Sequence, residues 1–403
     1  MYVKVAHQYA DDILSGKIAS SKWVSHACQR FKDDLEKDWR WTFSEKHVEH
    51  VCKWLEMAVT HTKGPLAGEN IRLEPWQVFC LANIYGWRDK RDTDIRKHQM
   101  IILEVARKNG KSLFASALAL YDMVFGDEGS EVYSCATKAD QAKICWNDAV
   151  RMVEKSHKKV KDIFKATVYA LTIPERYSKY VYVGRDSKSL DGLNPSLTIF
   201  DEAAAYSDRN IVDVMTSAAG SRKNNILLFI TTAQFSRTTV YFENRMQMQN
   251  ILSGKIEGDR WFGMIYCLEQ EEDWTDKSNW IKANPNLGVS KDMELLEREV
   301  TEATQMQSKR NNVLVKHFNI FTTAEANWLD LAAWDKCKID QIKTTGDFYV
   351  AMDLSSTRDL TALCYLWNAG DEFHVDYQCF LPRQTHPTPV SYTHLTLPTT
   401  PYV

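Results

Sequence analysis

The chain has 403 residues, 44% hydrophobic and 26% charged, which are globular proportions and enough for two to three domains of about 150 residues. Fifty Lys and Arg against 53 Asp and Glu leave a net charge of −3, which excludes a generally basic nucleic-acid coat and leaves room only for local basic patches. The nine cysteines form no C-x-x-C pair and no cluster with histidine, which argues for reduced thiols in a cytosolic protein rather than zinc ligands.

Residues 1 to about 70 are charge-rich and helical in pattern, broken by Gly16 and Lys63-Gly-Pro65. The N-terminus has no apolar export segment, and no run approaches the ~18 apolar residues of a membrane span. Leu73-Glu-Pro-Trp-Gln77 opens a helix with proline near its start. Met100 to Leu103 is apolar enough for a buried strand, and Asn109-Gly-Lys-Ser112 turns the chain. Ser112 to Phe125 is then apolar at helical spacing and stops at Gly126. Strand, glycine turn and helix in this order suit phosphate binding: loop amides and the helix N-terminus face the anion, Lys111 neutralises charge and Ser112 holds Mg²⁺. The strict pattern G-x-x-x-x-G-K-[ST] fails at its first position, where Val105 stands.

Glu131 to Ala136 reads as another strand, Lys138 to Glu154 as a helix, and Tyr180 to Val183 as a strand. Ser196-Leu-Thr-Ile-Phe-Asp-Glu202 is an apolar strand ending in two acids. Such acids also occur at ordinary solvent-exposed strand ends. Following a phosphate loop, they match a Walker B strand, with Asp201 near Mg²⁺ and Glu202 polarising the attacking water. Gln77, upstream of the loop, then stands where its amide can read an adenine edge. Ile226 to Ile230 adds a strand, and Thr231-Thr-Ala233 follows it where a polar strand end can sense the γ-phosphate. The alternation of strands and helices predicts an α/β P-loop NTPase with a mostly parallel sheet, in the branch that carries its own catalytic glutamate. Met293 to Lys316 reads as one long helix.

A second unit begins near Asn327. Asp347 to Trp367 reads as strand, polar turn and strand, with a third strand from Glu372 to Phe380. Asp353 at the first strand's end and Asp359 in the turn are where a ribonuclease-H-like nuclease places its first metal-binding acids. By residues alone they read equally as two hairpin-turn aspartates. Val390-Ser-Tyr-Thr-His-Leu395 translates a transposon end used in sequencing libraries, so residues 390–403 are expected to be a non-native tail; a native Pro/Thr-rich linker is the other reading. The expected division is a helical lead-in over 1–70, an ATPase motor over 71–326, a truncated nuclease over 327–389 and the tail over 390–403.

Across roughly residues 1 to 385 the set resembles the large terminase subunit of tailed double-stranded DNA phages. The resemblance rests on Tyr9-Ala-Asp-Asp-Ile-Leu-Ser-Gly-Lys17, Glu74-Pro-Trp-Gln77, Ala106-Arg-Lys-Asn-Gly-Lys-Ser112 and Ala136-Thr-Lys-Ala-Asp-Gln-Ala-Lys143. It extends through Leu190-Asp-Gly-Leu-Asn194, Ile199-Phe-Asp-Glu202, Thr231-Thr-Ala233, Ala283-Asn-Pro-Asn286 and Met352-Asp-Leu-Ser-Ser-Thr357. It implies an ATPase that packages viral DNA and, in the full-length protein, an endonuclease that is inactive in a truncated chain. It implies that Arg107 acts as a finger on the γ-phosphate, that Asn109, Gly110, Lys111, Ser112, Thr231 and Thr232 contact the nucleotide, and that Asp353 and Asp359 match the first nuclease acids. The implied cofactors are ATP and Mg²⁺, with Mg²⁺ or Mn²⁺ in the nuclease. The implied partners are double-stranded DNA, the small terminase subunit, the portal protein and further copies of the chain in a ring, in the cytoplasm of a bacterial host and without a membrane. Another P-loop DNA translocase or a helicase is the alternative.

Overall fold

In the computed structural model of the chain, the N-terminal segment folds into three amphipathic helices, α1 (Tyr2–Leu14), α2 (Lys22–Glu36) and α3 (Glu45–Ala58). Each turns one stripe inward, such as Val48, Val51, Cys52 and Leu55 of α3. The all-helical expectation for this segment misses a short strand, β1 (Trp41–Phe43), which pairs antiparallel with β2 (Trp87–Asp89). Three residues are too few to show a strand period. Between them α4 (Pro75–Gly86) starts on Pro75 and a reciprocal cap between Glu74 and Gln77, and is buried nearly all round.

The structure describes residues 1–184, 192–206, 209–237, 239–322, 346–354, 361–370 and 372–380, with the isolated positions Trp334, Cys337, Lys338 and Ile342. Within the first compact unit, Met1–Glu325, an eight-stranded sheet is formed by β3 (Met100–Glu104), β4 (Glu131–Ala136), β5 (Lys165–Ala166), β6 (Ala170–Ile173), β7 (Ser178–Gly184), β8 (Leu197–Asp201), β9 (Ile226–Thr231) and β10 (Trp261–Ile265). Its order is β10-β3-β9-β8-β4-β7-β6-β5; pairing is parallel from β10 to β7 and antiparallel for β6 and β5. Strands β8 and β9 are buried at every position, as expected when helices cover both faces of a parallel sheet. Phe200 and Phe229 stack across them with ring centroids 4.5 Å apart. The helices are α5 (Lys111–Phe125), α6 (Ala139–Lys155), α7 (Lys158–Lys161), α8 (Asn210–Ala219), α9 (Val240–Leu252), α10 (Met293–Gln305) and α11 (Gln307–Phe318). The lead-in helices, α4, α5 and the sheet share one apolar core.

The single helix expected from Met293 to Lys316 is two. At Met306 the backbone leaves the helical region (φ −123°, ψ 98°), and α10 and α11 fold against each other. The break lets Leu296, Val300 and Ala303 meet Val313, Leu314 and Phe318 in a second core with Trp280, Ala283 and Ala106. Either helix alone would leave an apolar stripe in water.

In the second unit, Ala326–Val403, β11 (Phe348–Asp353), β12 (Thr361–Asn368) and β13 (Phe373–Phe380) form an antiparallel sheet in sequence order, the opening arrangement of a ribonuclease-H-like fold. All six residues of β11 are exposed. Asp359 and residues 390–403 lie outside the described residues.

Candidate active site

Parallel registers bring three strand ends together. Glu104 of β3 lies opposite Thr231 of β9, and Asp201 of β8 opposite Ile230. Loops leaving the carboxyl ends of such strands form the crevice where α/β sheets bind ligands. The loop after β3 carries Lys108 and Gly110 in left-handed conformations (φ 69° and 78°) before α5 begins at Lys111. A Cβ on Gly110 would meet only the Asn286 amide at 3.7 Å, so glycine is needed there for backbone freedom, not for space.

Lys111 Nζ lies 2.9 Å from Glu202 Oε1. Glu202 is itself left-handed (φ 50°, ψ 44°), an uncommon strain for a non-glycine residue, and its Oε2 is buried without a partner among the described residues. Asp201 accepts the Glu202 N–H on Oδ1 (2.9 Å) and the Cys145 thiol on Oδ2 (3.3 Å). Burial pushes the Asp201 carboxyl up to about 6, with the Lys111 charge pulling the other way. An orphaned carboxylate oxygen, a cation held only by that carboxylate, and a left-handed glycine at a helix N-terminus together fit a nucleotide phosphate with its divalent ion.

The other sequence candidates divide. Arg107 is exposed, with its N–H donating to the Lys316 carbonyl and its guanidinium without a carboxylate partner among the described residues. Ser112 occupies the second position of α5, half-buried. The hydroxyls of Thr231 and Thr232 are committed to the backbone: Thr231 Oγ1 accepts from Ala204 N–H and donates to the Thr232 carbonyl, and Thr232 Oγ1 donates to the Val105 carbonyl. They tie the β9 end to both the phosphate loop and the turn after Glu202. Gln77 Oε1 accepts the Glu74 N–H and so serves the α4 cap. Asp353 ends β11, exposed and opposite Ala362.

Asn109, expected at the nucleotide, is buried and braces the loop from behind. Its Nδ2 donates to the Ala106 carbonyl (2.9 Å) and to Asn284 Oδ1 (3.1 Å), and its Oδ1 accepts the Asn286 N–H (3.0 Å). Asn286 Nδ2 returns a bond to the Asn109 carbonyl, and Trp76 Nε1 holds Asn286 Oδ1 at 2.6 Å. Lys291 Nζ donates to Asn284 Oδ1 at 2.6 Å; burial pushes this lysine down to about 7. The signal was present in Ala283-Asn-Pro-Asn286, but its role was not. Glu104, directly before the loop and fully buried, accepts from Arg245 Nε (2.8 Å) and Tyr241 OH (2.7 Å) of α9, a pairing no motif announced.

A family model described as terminase large subunit, ATPase domain, matches residues 75–250, and one described as terminase large subunit, endonuclease domain, matches residues 255–392. The terminase large subunit of Enterobacteria phage HK97 is 25% identical over 332 residues, 80% of this chain and 63% of that relative. That of Lactococcus phage p2 is 24% identical over 344 residues, 81% of this chain and 61% of the relative. The chain therefore spans less than two thirds of the length of these curated relatives. The crystal structure of the HK97 bacteriophage large terminase has the same fold, with TM-score 0.60 at 24% identity over 84% of this chain and 68% of that one. With both halves matched in order and the strand-end site in place, the chain belongs to the terminase large subunit family.

Proposed function

We propose that this chain is the ATP-driven motor of a phage DNA-packaging machine, translocating double-stranded DNA into a procapsid, with an endonuclease unit that cuts concatemeric DNA. The carrying observation is the pair Lys111–Glu202 beside Asp201, with the unpartnered Glu202 Oε2. In this reading residues 71–326 are the motor and the nuclease begins near residue 327. The small terminase subunit, the portal protein and further copies of the chain in a ring are its partners, in the cytoplasm of a bacterial host. No helix of the described residues is long and apolar enough to cross a membrane.

Gly110, Lys111 and Ser112 would hold the phosphates, and Ser112 and Asp201 the Mg²⁺ ion. The ion supplies charge neutralisation between phosphate oxygens. Lys111 pairs with Glu202, so an anion that takes Lys111 would release the carboxylate. Glu202 Oε2 then accepts a hydrogen bond from the attacking water and increases its nucleophilicity. Arg107, exposed at the loop crest, delivers a cation to the terminal phosphate. Asp353 and Asp359 would supply two of the carboxylate ligands of a two-ion nuclease site.

Phosphate release and fluorescent-nucleotide titration test the motor. Lys111→Ala should abolish binding or turnover. Glu202→Gln should bind nucleotide with little change while turnover falls ~10²-fold or more. Wild-type turnover in Glu202→Gln would refute the catalytic assignment.

A further inference from the structure

At the sheet edge opposite β10, the end of α6, the short α7 and strand β5 carry Lys155, Lys158, Lys159, Lys161 and Lys165, all exposed. Residues 155–165 contain one acid, Asp162, so this segment holds an excess of four positive charges in a chain whose net charge is −3. Neighbouring cations find carboxylates: Lys63 and Arg151 share Asp148, and Lys179 pairs with Glu131. None of the five lysines does so among the described residues.

The array is held firmly from beneath. Phe164 is buried, Val160 and Ile163 pack on the main core, and the Phe164 N–H donates to the Lys161 carbonyl. The adjoining hairpin turn closes through Thr167 N–H to the Ala170 carbonyl and leaves Tyr169, in the turn between β5 and β6, 73% exposed. Lysine on an edge strand discourages sheet-to-sheet pairing, which accounts for Lys165 on β5. It does not account for the four on α6 and α7, which are helical and not part of an edge strand. Crowded like charges without counter-charges suit a ligand with regularly spaced anions, and lysine's compact, flexible charge suits backbone rather than base contact.

We propose that this surface grips the phosphate backbone of double-stranded DNA without reading its sequence, with Tyr169 as a flanking hydroxyl donor. The inference rests on the packaging reading above. The test is binding of a labelled mixed-sequence duplex by the full chain across a salt series. Substituting Lys158→Gln, Lys159→Gln and Lys161→Gln together should flatten the slope of log affinity against log salt by about 2–3 and weaken low-salt binding about tenfold or more. Turnover without DNA should not change, since these residues lie outside the nucleotide site. The triple arginine variant should keep the wild-type slope. Unchanged slope and affinity in the glutamine variant would overturn the proposal and leave the patch to an acidic protein partner. Equal loss in the arginine variant would overturn it too. Failure of the wild-type chain to bind any duplex would instead sink the packaging reading together with the patch.

Discussion

The Asp201 carboxyl is almost fully enclosed, and its displacement from 3.8 to about 6 has consequences for both stability and activity. The folded chain holds this proton more tightly than the unfolded chain, so its contribution to stability is complete below about pH 4 and is lost as the pH rises through about 6. Asp201→Asn has no charge to bury; without nucleotide it should be more stable than wild type at pH 8 by at most roughly 3 kcal/mol in urea denaturation. The gap should shrink as the pH is lowered towards 5, and a constant gap would show that the proton is not the cause. Under the proposed role of Asp201 as an ion ligand, which has to be ionised, turnover at limiting Mg²⁺ should decline as the pH falls through about 6. Arg107 presents a different case, since its side chain is exposed and has no carboxylate partner among the described residues. Arg107→Ala should lower kcat ~10³-fold with little change in nucleotide affinity, and lysine should rescue it only in part because the planar fork is lost. Steady-state kinetics beside equilibrium titration would separate the two, and an unchanged kcat would reduce Arg107 to a solvated loop residue.

At the scale of elements, the phosphate loop depends on the turn between β10 and α10. Asn286 holds Asn109 from both its N–H and its amide, and Ser290 Oγ donates to the Lys108 carbonyl. Asn286→Ala keeps the backbone N–H to Asn109 Oδ1 but leaves the buried Asn109 carbonyl and Trp76 Nε1 without their side-chain partners, a loss of about 1–3 kcal/mol. Nucleotide affinity should fall about tenfold while the far-ultraviolet circular dichroism stays as in wild type; equal affinity would mean the loop holds its shape unaided. This dependence was illegible in the sequence because the partners lie 175 and 177 residues apart. Local chemistry was readable: β4, β8 and β9 are mostly apolar, Asp201 and Glu202 stand at the end of β8, and Lys111 opens the helix that follows β3. Strand β10 escaped notice because Gly263 interrupts Trp261-Phe-Gly-Met-Ile265. A Cβ there would lie 2.5 Å from Met248 Cγ, so the glycine marks close helix packing rather than a turn. Strand β5 is two exposed residues, β6 is four residues with Leu171 and Ile173 buried, and both are too short to stand out; nothing in the helix-favouring residues around Met306 announces the break.

For the whole molecule, the divisions of sequence and of structure do not coincide. The endonuclease match begins at residue 255, yet the physical boundary falls between Glu325 and Ala326. Between them lie β10, which closes one edge of the eight-stranded sheet on β3, the Asn284–Asn286 brace, and Asn319, whose amide oxygen accepts the Ala233 N–H just past the end of β9. A gene crossover at residue 254 would therefore transplant part of the first compact unit along with the second. The hybrid would inherit a β3 edge fitted to its former neighbour, an open row of N–H and C=O groups unless the newcomer's strand matched. A crossover just past residue 322 would carry across no strand or amide of the motor. Hybrids joined at the earlier point should misfold or lose ATP turnover, and those joined at the later point should keep it, as soluble yield and phosphate release would show. Descent by shuffled parts would thus favour the later seam, even though the matches to the two family models divide the chain at the earlier one.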